Sequence, residues 1–428
     1  MNIKGLHSVY FVGIGGIGMS ALARYYHSQG IAVAGYDLTP SSLTKQLEDE
    51  GMAVHYEDNP ALLPDDIDIV VYTPAVPKDL NELVELRRRG IPMMKRAEAL
   101  GAISKAHFTI AIAGTHGKTT TTAMVAHILN ECGVDMTAFI GGIANNFGSN
   151  LHLGHTSESV LVVEADEFDR SFLQLSPNIS IINSIDADHL DIYGDKRHLV
   201  ESFNAFAQLT QDIVIVKEGL DIDVSNQVSF GFGEDCDYRV NELNLPMPIP
   251  GKHNQLNATA AFAAASQLGL NPDEIAKALS TFKGVKRRFD IRVRNDNYCY
   301  IDDYAHHPEE IKSCLSAIKA SFPSKRVTLV FQPHLFTRTR DFMEDFANVL
   351  AMADDLILLD IYPAREKPIE GITSQALLDK VNLSDKCLCP KEQLLETIAE
   401  RKPELLVTMG AGNIDRFVEP LQNMISQW

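Results

Sequence analysis

The N-terminal part of the chain alternates short apolar runs with stretches of helical character. The apolar runs are rich in valine, isoleucine and tyrosine, and they cover residues 9 to 12, 32 to 36 and 67 to 72. Runs of this length and composition are typical of buried strands. Because strands that alternate with helices pair in a parallel sheet with right-handed crossovers, the pattern predicts a first α/β domain.

The same pattern returns twice further along the chain. A second set of apolar runs covers residues 108 to 113, 159 to 163 and 179 to 182, and an alanine-rich helical stretch follows at residues 258 to 268. A third set covers residues 327 to 331, 356 to 360 and 405 to 409, and its last run leads into a glycine-containing turn at residues 410 to 413. We therefore predict a three-domain α/β protein with domains at residues 1–106, 107–285 and 286–428.

Composition narrows the classes of function. The formal net charge of −19 argues against a general nucleic-acid binder, since phosphate neutralisation needs a basic face. No apolar run approaches the length of a membrane span, and the chain starts with no apolar signal segment. Six dispersed cysteines are typical of reduced thiols in a large intracellular protein. We expect a cytoplasmic protein without nucleic-acid or membrane partners.

The first glycine-rich turn follows the first predicted strand and opens a helix. It contains Gly13, Gly15, Gly16 and Gly18, and Asp37 lies at the end of the next strand. Small residues let the backbone approach a diphosphate at the N-terminus of the helix, and the acidic residue stands where a ribose contact is expected. Taken alone, this turn would favour a nicotinamide-dependent dehydrogenase, against the alternatives of another bound nucleotide or a purely structural tight turn.

The second glycine-rich turn again follows a strand and precedes a helix. It resembles a Walker A loop that has Ile112 in place of the leading glycine. In such a loop the backbone N–H groups cradle phosphates, Lys118 reaches the β and γ oxygens, and the hydroxyl of Thr119 ligates magnesium. The predicted nucleotide-binding residues of this turn are Gly114, Thr115, His116, Gly117, Lys118, Thr119 and Thr120.

Acidic residues follow two strands of the second set. Glu164 comes directly after one strand within residues 164 to 167, and residues 186 to 191 hold a second acidic cluster with His189. A nucleotide needs a divalent ion to neutralise its phosphates, and such an ion takes oxygen ligands at strand ends near the phosphate loop. We predict a magnesium site that uses Glu164 and His189 together with Thr119.

Seven motifs in a fixed order carry a family resemblance. They are Gly-x-Gly-Gly-x-Gly-Met-Ser (13–20), Gly-Thr-His-Gly-Lys-Thr (114–119), Glu-Ala-Asp-Glu (164–167), Asp-His-Leu-Asp (188–191), His-Asn-x-x-Asn (253–257), Arg-Arg-Phe (287–289) and Asp-Asp-Tyr-x-His-His-Pro (302–308). With this order the chain resembles the Mur ligases, and within them the branch that adds L-alanine. The resemblance implies a Rossmann-like UDP-sugar domain, a central P-loop ATPase domain with a parallel or mixed sheet, and a C-terminal Rossmann-like domain that helps bind the amino acid.

The resemblance also implies a reaction and its residues. ATP phosphorylates the lactyl carboxylate of UDP-N-acetylmuramate, the amine of L-alanine attacks the acyl phosphate, and ADP and phosphate leave. Residue by residue, it implies the following sets: Lys118, Glu164, His189, Arg288 and Asp303 in catalysis; Asn254, Asn257, Arg288 and Asp303 with the phosphate loop at ATP; Thr119, Glu164 and His189 at Mg²⁺; and Gly15, Gly16, Gly18, Asp37, Thr73, Tyr304, His334 and Arg338 at the other substrates.

Several alternatives stay open at the level of sequence. The general base is one of Asp303, Tyr304, His306, His307 and His334. Leu335 stands where the L-alanine-adding branch often has an arginine, which leaves Arg338 as the closest candidate for the amino-acid carboxylate, with Arg340 and Arg365 in reserve. A murein-tripeptide recycling ligase of the same family, a non-enzymatic nucleotide sensor and a dehydrogenase are the competing functions. The protein is either a monomer or a homodimer.

Overall fold

The computed structural model describes residues 5–186, 196–364 and 366–428. Its chain forms two compact units. The first contains residues 1–247 and 256–282, and the second contains residues 248–255 and 283–428. His189 and Arg365, two residues named from the sequence, lie outside the described residues.

The first unit contains two sheets. The described strands of the N-terminal sheet are all parallel and run in the order β3-β2-β1-β4-β5. Their bounds are β1 Ser8–Val12, β2 Ala32–Tyr36, β3 Ala53–His55, β4 Ile69–Tyr72 and β5 Met93–Lys95. The helices between and after them are α1 Ile17–Ser28, α2 Ser42–Asp49, α3 Asn81–Arg88 and α4 Arg96–Ser104.

The second sheet of this unit has the order β13-β12-β11-β10-β6-β9-β7-β8 among the described residues. Its pairs are parallel except for the antiparallel pair of β7 with β8. The strands are β6 Thr109–Ala113, β7 Met136–Ala144, β8 Ser149–His152, β9 Val160–Glu164, β10 Ile179–Ile182, β11 Ile213–Lys217, β12 Gln227–Gly231 and β13 Tyr238–Arg239. Its helices are α5 Lys118–Glu131, α6 Lys196–Gln208, α7 Val240–Leu243, α8 Lys252–Gln267, whose first residues belong to the second unit, and α9 Pro272–Ser280.

Side chains from both sheets share the core of the first unit. Tyr25 of α1 packs on Phe139 of β7, with 5.5 Å between the ring centroids. Nearby, Arg24 donates a hydrogen bond of 2.7 Å to Asn150 of β8 and is also paired with Glu50. These contacts fix the helix that follows the first glycine turn against the second sheet.

The second unit is built on one sheet with the order β14-β15-β19-β16-β17-β18 among the described residues. Only β14 with β15 is antiparallel among its described pairs. The strands are β14 Asp290–Arg294, β15 Cys299–Asp303, β16 Val327–Phe331, β17 Asp355–Leu358, β18 Lys386–Leu388 and β19 Leu405–Met409. The helices are α10 Pro308–Ser321, α11 Phe336–Asp341, α12 Met343–Leu350, α13 Ser374–Lys380, α14 Leu394–Arg401 and α15 Val418–Ile425, and they cover two apolar cores on the two faces.

The apolar runs of the sequence match these strands closely. Those predicted at residues 32 to 36, 179 to 182, 327 to 331 and 405 to 409 have the observed bounds, and the run at residues 356 to 360 is shifted by one or two residues. The strand expected from residue 67 begins at Ile69, and the side chain of Asp68 just before it accepts hydrogen bonds from the N–H groups of His7 and Ser8. The α/β class with three parallel or mixed sheets is confirmed. The domain bounds near residues 106 and 285 stay a prediction.

Within the described residues, no helix has the length and apolar character needed to cross a membrane. The six cysteines are all free thiols, as expected.

Candidate functional site

The first glycine turn lies at the carboxyl edge of the N-terminal sheet. Gly13 has a φ of +85°, and its N–H donates to the carbonyl of Tyr36 at the end of β2. A Cβ on Gly13 would come within 2.6 Å of Thr73, the residue after β4. This turn is therefore a position where only glycine fits, and it lies beside Thr73, one of the residues predicted to bind substrate.

Asp37 is part of the same turn. One of its carboxylate oxygens accepts a hydrogen bond of 2.8 Å from the N–H of Gly15, and the other accepts one from Thr39. The N-cap of α1 is Gly16, and no side chain caps it. The N–H groups at the start of α1 are thus available to an anion, which is the arrangement expected at a diphosphate site.

The second glycine turn joins β6 to α5. Gly114 and Gly117 have φ values of +140° and +80°, and Gly117 caps α5 without a side-chain hydrogen bond. The loop is held to the end of β10: the N–H of Thr115 donates to the carbonyl of Ser184, and the N–H of His116 donates to its hydroxyl. These hydrogen bonds fix the backbone of the loop, and its predicted role at the phosphates of a nucleotide stays a prediction.

Asn257 of α8 approaches this loop. Its side-chain oxygen lies 2.5 Å from the place that a Cβ on Gly117 would occupy, and the Asn183 amide is 3.1 Å from the same place. The predicted role of Asn257 at the nucleotide is compatible with this position. Asn183 was not predicted from the sequence; it also donates to Thr121 of α5 at 2.9 Å and follows β10 with no motif to mark it.

Lys118 is held by a buried carboxylate. Its ammonium lies 2.8 and 2.9 Å from the two carboxylate oxygens of Glu167 and 2.7 Å from the carbonyl of Gly114. The Glu167 side chain is fully buried, and burial raises the pKa of Glu167 while the ammonium of Lys118 acts against that rise. Burial by itself lowers the pKa of Lys118, but the carboxylates of Glu167, Glu164 and Asp166 together outweigh it, so the pKa is raised and the lysine stays protonated.

Glu167 belongs to a motif that the sequence singled out, but its partner was not predicted. It is the last residue of Glu-Ala-Asp-Glu at residues 164 to 167, where Glu164 was chosen as the metal ligand. The structure brings the fourth residue of that motif, and not the first, to Lys118. Tertiary packing was needed to distinguish the two carboxylates.

The predicted magnesium ligands are described in part. Glu164 ends β9, the strand that pairs with β6, and its carboxylate accepts a hydrogen bond of 3.0 Å from the N–H of Gly141. Thr119 lies in the first turn of α5 and is buried. Both supply the oxygen donors that Mg²⁺ prefers, so the donor set fits the ion. No group of three or more His, Cys, Asp or Glu side chains placed to hold a metal occurs among the described residues.

The second unit contains the remaining predicted residues. The Arg288 guanidinium lies 5.1 Å from the centroid of the Tyr304 ring, and Arg287 lies at a similar distance. Asp303, at the end of β15, accepts hydrogen bonds from the N–H groups of Phe289 and Ala305 at 2.6 and 2.7 Å. Burial raises the pKa of Asp303 to about 6, although Arg288 and these two N–H groups lower it.

Asn254 also belongs to the second unit. Its side chain donates a hydrogen bond of 2.8 Å to the carbonyl of Pro250 and is buried. The structure thus places Asn257 by the phosphate loop in the first unit and Asn254 in the second, although both are on α8. The roles predicted for Asn254, Arg288 and Asp303 at the nucleotide stay predictions.

Four aromatic side chains gather beside Arg338. His334 stacks on Tyr362, with 5.7 Å between centroids and 21° between planes, and His306 lies 6.0 Å from His334 and 5.1 Å from Tyr304. Burial lowers the pKa of His334 to about 4 and also lowers the pKa of His306. Both imidazoles are therefore neutral near pH 7.

The guanidinium of Arg338 contains a buried donor. Its Nη1 atom is buried and has no hydrogen-bond partner among the described residues. A buried N–H group without an acceptor costs roughly 1–3 kcal/mol, so such a donor is typically matched by a ligand or by water. Of the reserve cations, Arg340 is half exposed and paired with Asp341.

Leu335, beside this group, has a strained backbone. Its φ of +71° is in the left-handed region that a leucine rarely adopts, and its N–H donates to the carbonyl of Tyr362. The carboxylate of Glu366 holds the same segment, because it accepts hydrogen bonds from both the N–H and the hydroxyl of Thr337. Strain of this kind persists when the surrounding contacts determine it, and it is concentrated at ligand sites.

Comparisons with known proteins agree with this architecture. Three protein-family models match the chain. "Mur ligase family, catalytic domain" matches residues 8–108, "Mur ligase middle domain" matches residues 112–228, and "Mur ligase, glutamate ligase domain" matches residues 287–412. Together these matches span most of the chain.

Relatives align with this chain over nearly its whole length. The UDP-N-acetylmuramate–L-alanine ligase of Cytophaga hutchinsonii is 46% identical over 100% of this chain and 98% of its own length. That of Christiangramia forsetii is 47% identical over 97% of both chains. The crystal structure of the UDP-N-acetylmuramate–alanine ligase from Thermotoga maritima is 30% identical, covers 97% of this chain and 99% of its own, and superposes with a TM-score of 0.82. The chain therefore belongs to the Mur ligase family.

Proposed function

We propose that this protein is an ATP-dependent ligase that joins L-alanine to the lactyl carboxylate of UDP-N-acetylmuramate in the synthesis of peptidoglycan precursors. The observation that carries the proposal is the presence, in one compact unit, of two separate glycine-rich turns of the kind that binds phosphate. Each follows a parallel strand, opens a helix and leaves the helix N-terminus without a side-chain cap. A reaction between two phosphate-bearing substrates needs two such sites.

The two turns differ in the charge that they offer. The turn at Gly114 to Thr120 supplies Lys118, whose ammonium favours the γ-phosphate as charge develops during transfer. The turn at Gly13 to Gly18 contains no lysine, and Asp37 lies beside it in the position of a ribose-binding acid. We therefore assign ATP to the second turn and the UDP-sugar to the first.

Mg²⁺ is part of the proposal. Thr119 and Glu164 would hold it, with His189 as the third predicted ligand. When bound, the ion would neutralise the phosphate oxygens, which are otherwise too negative to approach the carboxylate of the second substrate. Lys118 would screen the same charge from the side of the loop.

The group of residues around Arg338 is the proposed site for the amino acid. A free amino acid presents a carboxylate, and the unpartnered Nη1 of Arg338 is a donor suited to it. His334 and His306 are held neutral, so they repel neither that carboxylate nor the amine, and they are available to accept the proton that the amine loses on attack. Asp303 is a further candidate for the base: its pKa of about 6 makes it a stronger proton acceptor than His334, although its carboxylate also accepts from two backbone N–H groups.

The reaction proceeds through an acyl phosphate in this proposal. A lactyl carboxylate oxygen attacks the γ-phosphorus and releases ADP; the amine then attacks the acyl carbon and releases phosphate. One carboxylate oxygen must therefore leave with the phosphate. With the lactyl carboxylate labelled by heavy oxygen, the label is expected in the released phosphate, and unlabelled phosphate would indicate that ATP hydrolysis is uncoupled from activation.

The direct experiment compares acceptors side by side. The purified protein is incubated with ATP, Mg²⁺ and UDP-N-acetylmuramate, with either L-alanine, glycine, L-serine or the L-alanyl-γ-D-glutamyl-diaminopimelate tripeptide, and the products are identified by mass. L-alanine is expected to be the best acceptor, with glycine and serine slower by about 10-fold or more, the discrimination available from one small group. Faster product formation with the tripeptide would instead identify a recycling ligase.

We further propose that the enzyme acts in the cytoplasm on small-molecule substrates, as a monomer or a homodimer, without nucleic-acid partners. ATP and nucleotide sugars are both made in the cytoplasm. The strongly acidic composition and the free thiols of this protein are also consistent with that location. Light scattering of the purified protein would distinguish the two oligomeric states.

A further inference from the structure

The structure assigns a cation to the first glycine turn that the sequence did not mark. Arg96, the first residue of α4, has its guanidinium against the first turn of α1. A Cβ on Gly18 would lie 2.9 Å from Nη1 of Arg96 and 3.3 Å from its Cδ. Gly18 therefore leaves the space that the guanidinium occupies. We propose that Arg96 binds the diphosphate of the sugar nucleotide and that Asp166 holds it in position, an inference that rests on the proposed function.

The electrostatics of this contact call for an anion. The N-terminus of a helix carries a partial positive charge from its unpaired N–H groups, and α1 begins at Ile17 with Gly16 as an N-cap that has no side-chain hydrogen bond. A guanidinium beside that end adds to this positive potential, and the carboxylate of Asp166 pairs with only one of its nitrogens. The diphosphate expected on this turn is such a group, and it would accept hydrogen bonds from Arg96 and from the helix N–H groups together.

Asp166 fixes the orientation of the guanidinium. The carboxylate of Asp166 accepts a hydrogen bond of 2.9 Å from Nη2 of Arg96. Within the described residues, the guanidinium of Arg96 donates to Asp166. The other oxygen of Asp166 accepts from the N–H of Phe168, so the carboxylate is itself held in place. Nη1 is thereby directed at the glycine turn, with donors left for a second acceptor.

The backbone of α4 is fixed at its far end as well. A Cβ on Gly101 would lie 2.4 Å from the carbonyl oxygen of Gln174. The helix therefore packs so tightly against residues 168–174 that no side chain larger than that of glycine fits at this position. The hydroxyl of Ser104 also accepts a hydrogen bond from the N–H of Ser176. The position of Arg96 is therefore set by the packing of α4, and it does not depend on the ion pair alone.

Lys95 offers a matched control on the same helix end. Its ammonium forms an ion pair of 2.8 Å with Asp169, three residues from Asp166, and it is 44% exposed. Lys95→Ala removes one charge and one ion pair to the same segment, as Arg96→Ala does. It does not remove the guanidinium from the glycine turn.

The test is calorimetric titration of the full-length protein with UDP-N-acetylmuramate and, separately, with UDP. Arg96→Ala is expected to weaken both ligands by about 10- to 100-fold, the loss of a charge-assisted contact, while Lys95→Ala changes them by less than about threefold. Arg96→Lys keeps a charge and should recover part of the affinity. Asp166→Asn should raise the KM for UDP-N-acetylmuramate by a larger factor than it lowers kcat, since Asp166 positions Arg96 and contributes less directly to the charge at Lys118.

Two outcomes would overturn the inference. UDP affinity within about twofold of wild type in a folded Arg96→Ala protein would show that the guanidinium does not contact the diphosphate. Loss of UDP-N-acetylmuramate affinity without loss of UDP affinity would instead assign Arg96 to the lactyl carboxylate. If Arg96→Ala does not fold, the same comparison is made with Arg96→Lys. These results are distinct from a failure of the proposed function, in which wild-type protein itself would form no alanine adduct.

Discussion

The buried pair of Lys118 and Glu167 leads to a quantitative prediction. Glu167→Gln keeps the shape of the side chain and removes its charge, which leaves the Lys118 ammonium in a buried position beside the carbonyl of Gly114. Lys118→Met removes the other partner. Each single change removes one partner of the same ion pair and leaves the other in place. The carboxylate of this pair is fully buried.

The expected cost follows from the burial. Removing one partner of a buried ion pair costs about 3–5 kcal/mol, because the remaining charge is left uncompensated. For a unit of this size, about 1 kcal/mol corresponds to roughly 2 °C in Tm, so each single variant should unfold about 6–10 °C below wild type. The double variant Lys118→Met/Glu167→Gln leaves no buried charge at this pair, and its loss should be smaller than the sum of the two by about 3 kcal/mol or more.

ATP provides an independent check on the same pair. Phosphate oxygens can replace the lost carboxylate as partners of the Lys118 ammonium, so Mg-ATP should raise the Tm of Glu167→Gln more than that of wild type. The experiment is thermal unfolding of the wild type, the two single variants and the double variant, with and without Mg-ATP. Glu158→Gln, an exposed glutamate of the same unit, is the control and should stay within about 0.5 kcal/mol of wild type.

Two results would refute this reasoning. If Glu167→Gln unfolds at the same temperature as Glu158→Gln, the ammonium of Lys118 does not depend on the buried carboxylate. If the losses of the two single variants simply add in the double variant, the two side chains are not energetically coupled, whatever the distance between them.

Four further predictions follow from the proposed site. Lys118→Ala should lower kcat by about 100-fold or more, since it removes charge stabilisation at the transferred phosphoryl group, and near wild-type turnover in a folded variant would contradict it. Gly141→Ala should raise the Mg²⁺ concentration needed for half-maximal activity, because a Cβ there would lie 2.1 Å from a carboxylate oxygen of Glu164; an unchanged Mg²⁺ dependence would exclude this. Burial raises the pKa of Asp303 to about 6 in the folded protein, against about 4 in an unfolded chain, so the folded state binds this proton more tightly. The protonated carboxyl therefore stabilises the folded state by about 3 kcal/mol. This stabilisation is complete below roughly pH 4 and is lost as the pH rises through 6. Denaturant titrations at several pH values should show a smaller decline for Asp303→Asn than for wild type, and equal declines would refute it. Arg338→Ala should raise the KM for L-alanine while leaving those for ATP and UDP-N-acetylmuramate nearly unchanged, and an unchanged alanine KM would remove Arg338 from the amino-acid site.

The sequence determined the central strands of the three sheets and the two glycine-rich turns. Both depend on local information: a strand is marked by a run of apolar residues, and a phosphate turn is marked by glycines at fixed spacing between a strand and a helix. Gly13, Gly114 and Gly117 indeed take the positive φ values that such turns require. Strands β3, β5, β7, β8, β11 to β15 and β18 were not predicted. Most of them are short or carry polar residues, whereas β7 and β11 are apolar runs that the sequence analysis did not assign.

Tertiary structure decided which side chains meet. The sequence offered Glu164 and Glu167 in one motif with nothing to show that Glu167 pairs with Lys118, and it gave no sign of Arg96 beside Gly18. The residues of each pair lie 49 and 78 positions apart, so only the packing of separate elements brings them together. Periodicity and turn chemistry depend on neighbours along the chain, whereas burial, pKa shifts and ion pairs depend on neighbours in space, and these are fixed only when the sheets and helices have packed.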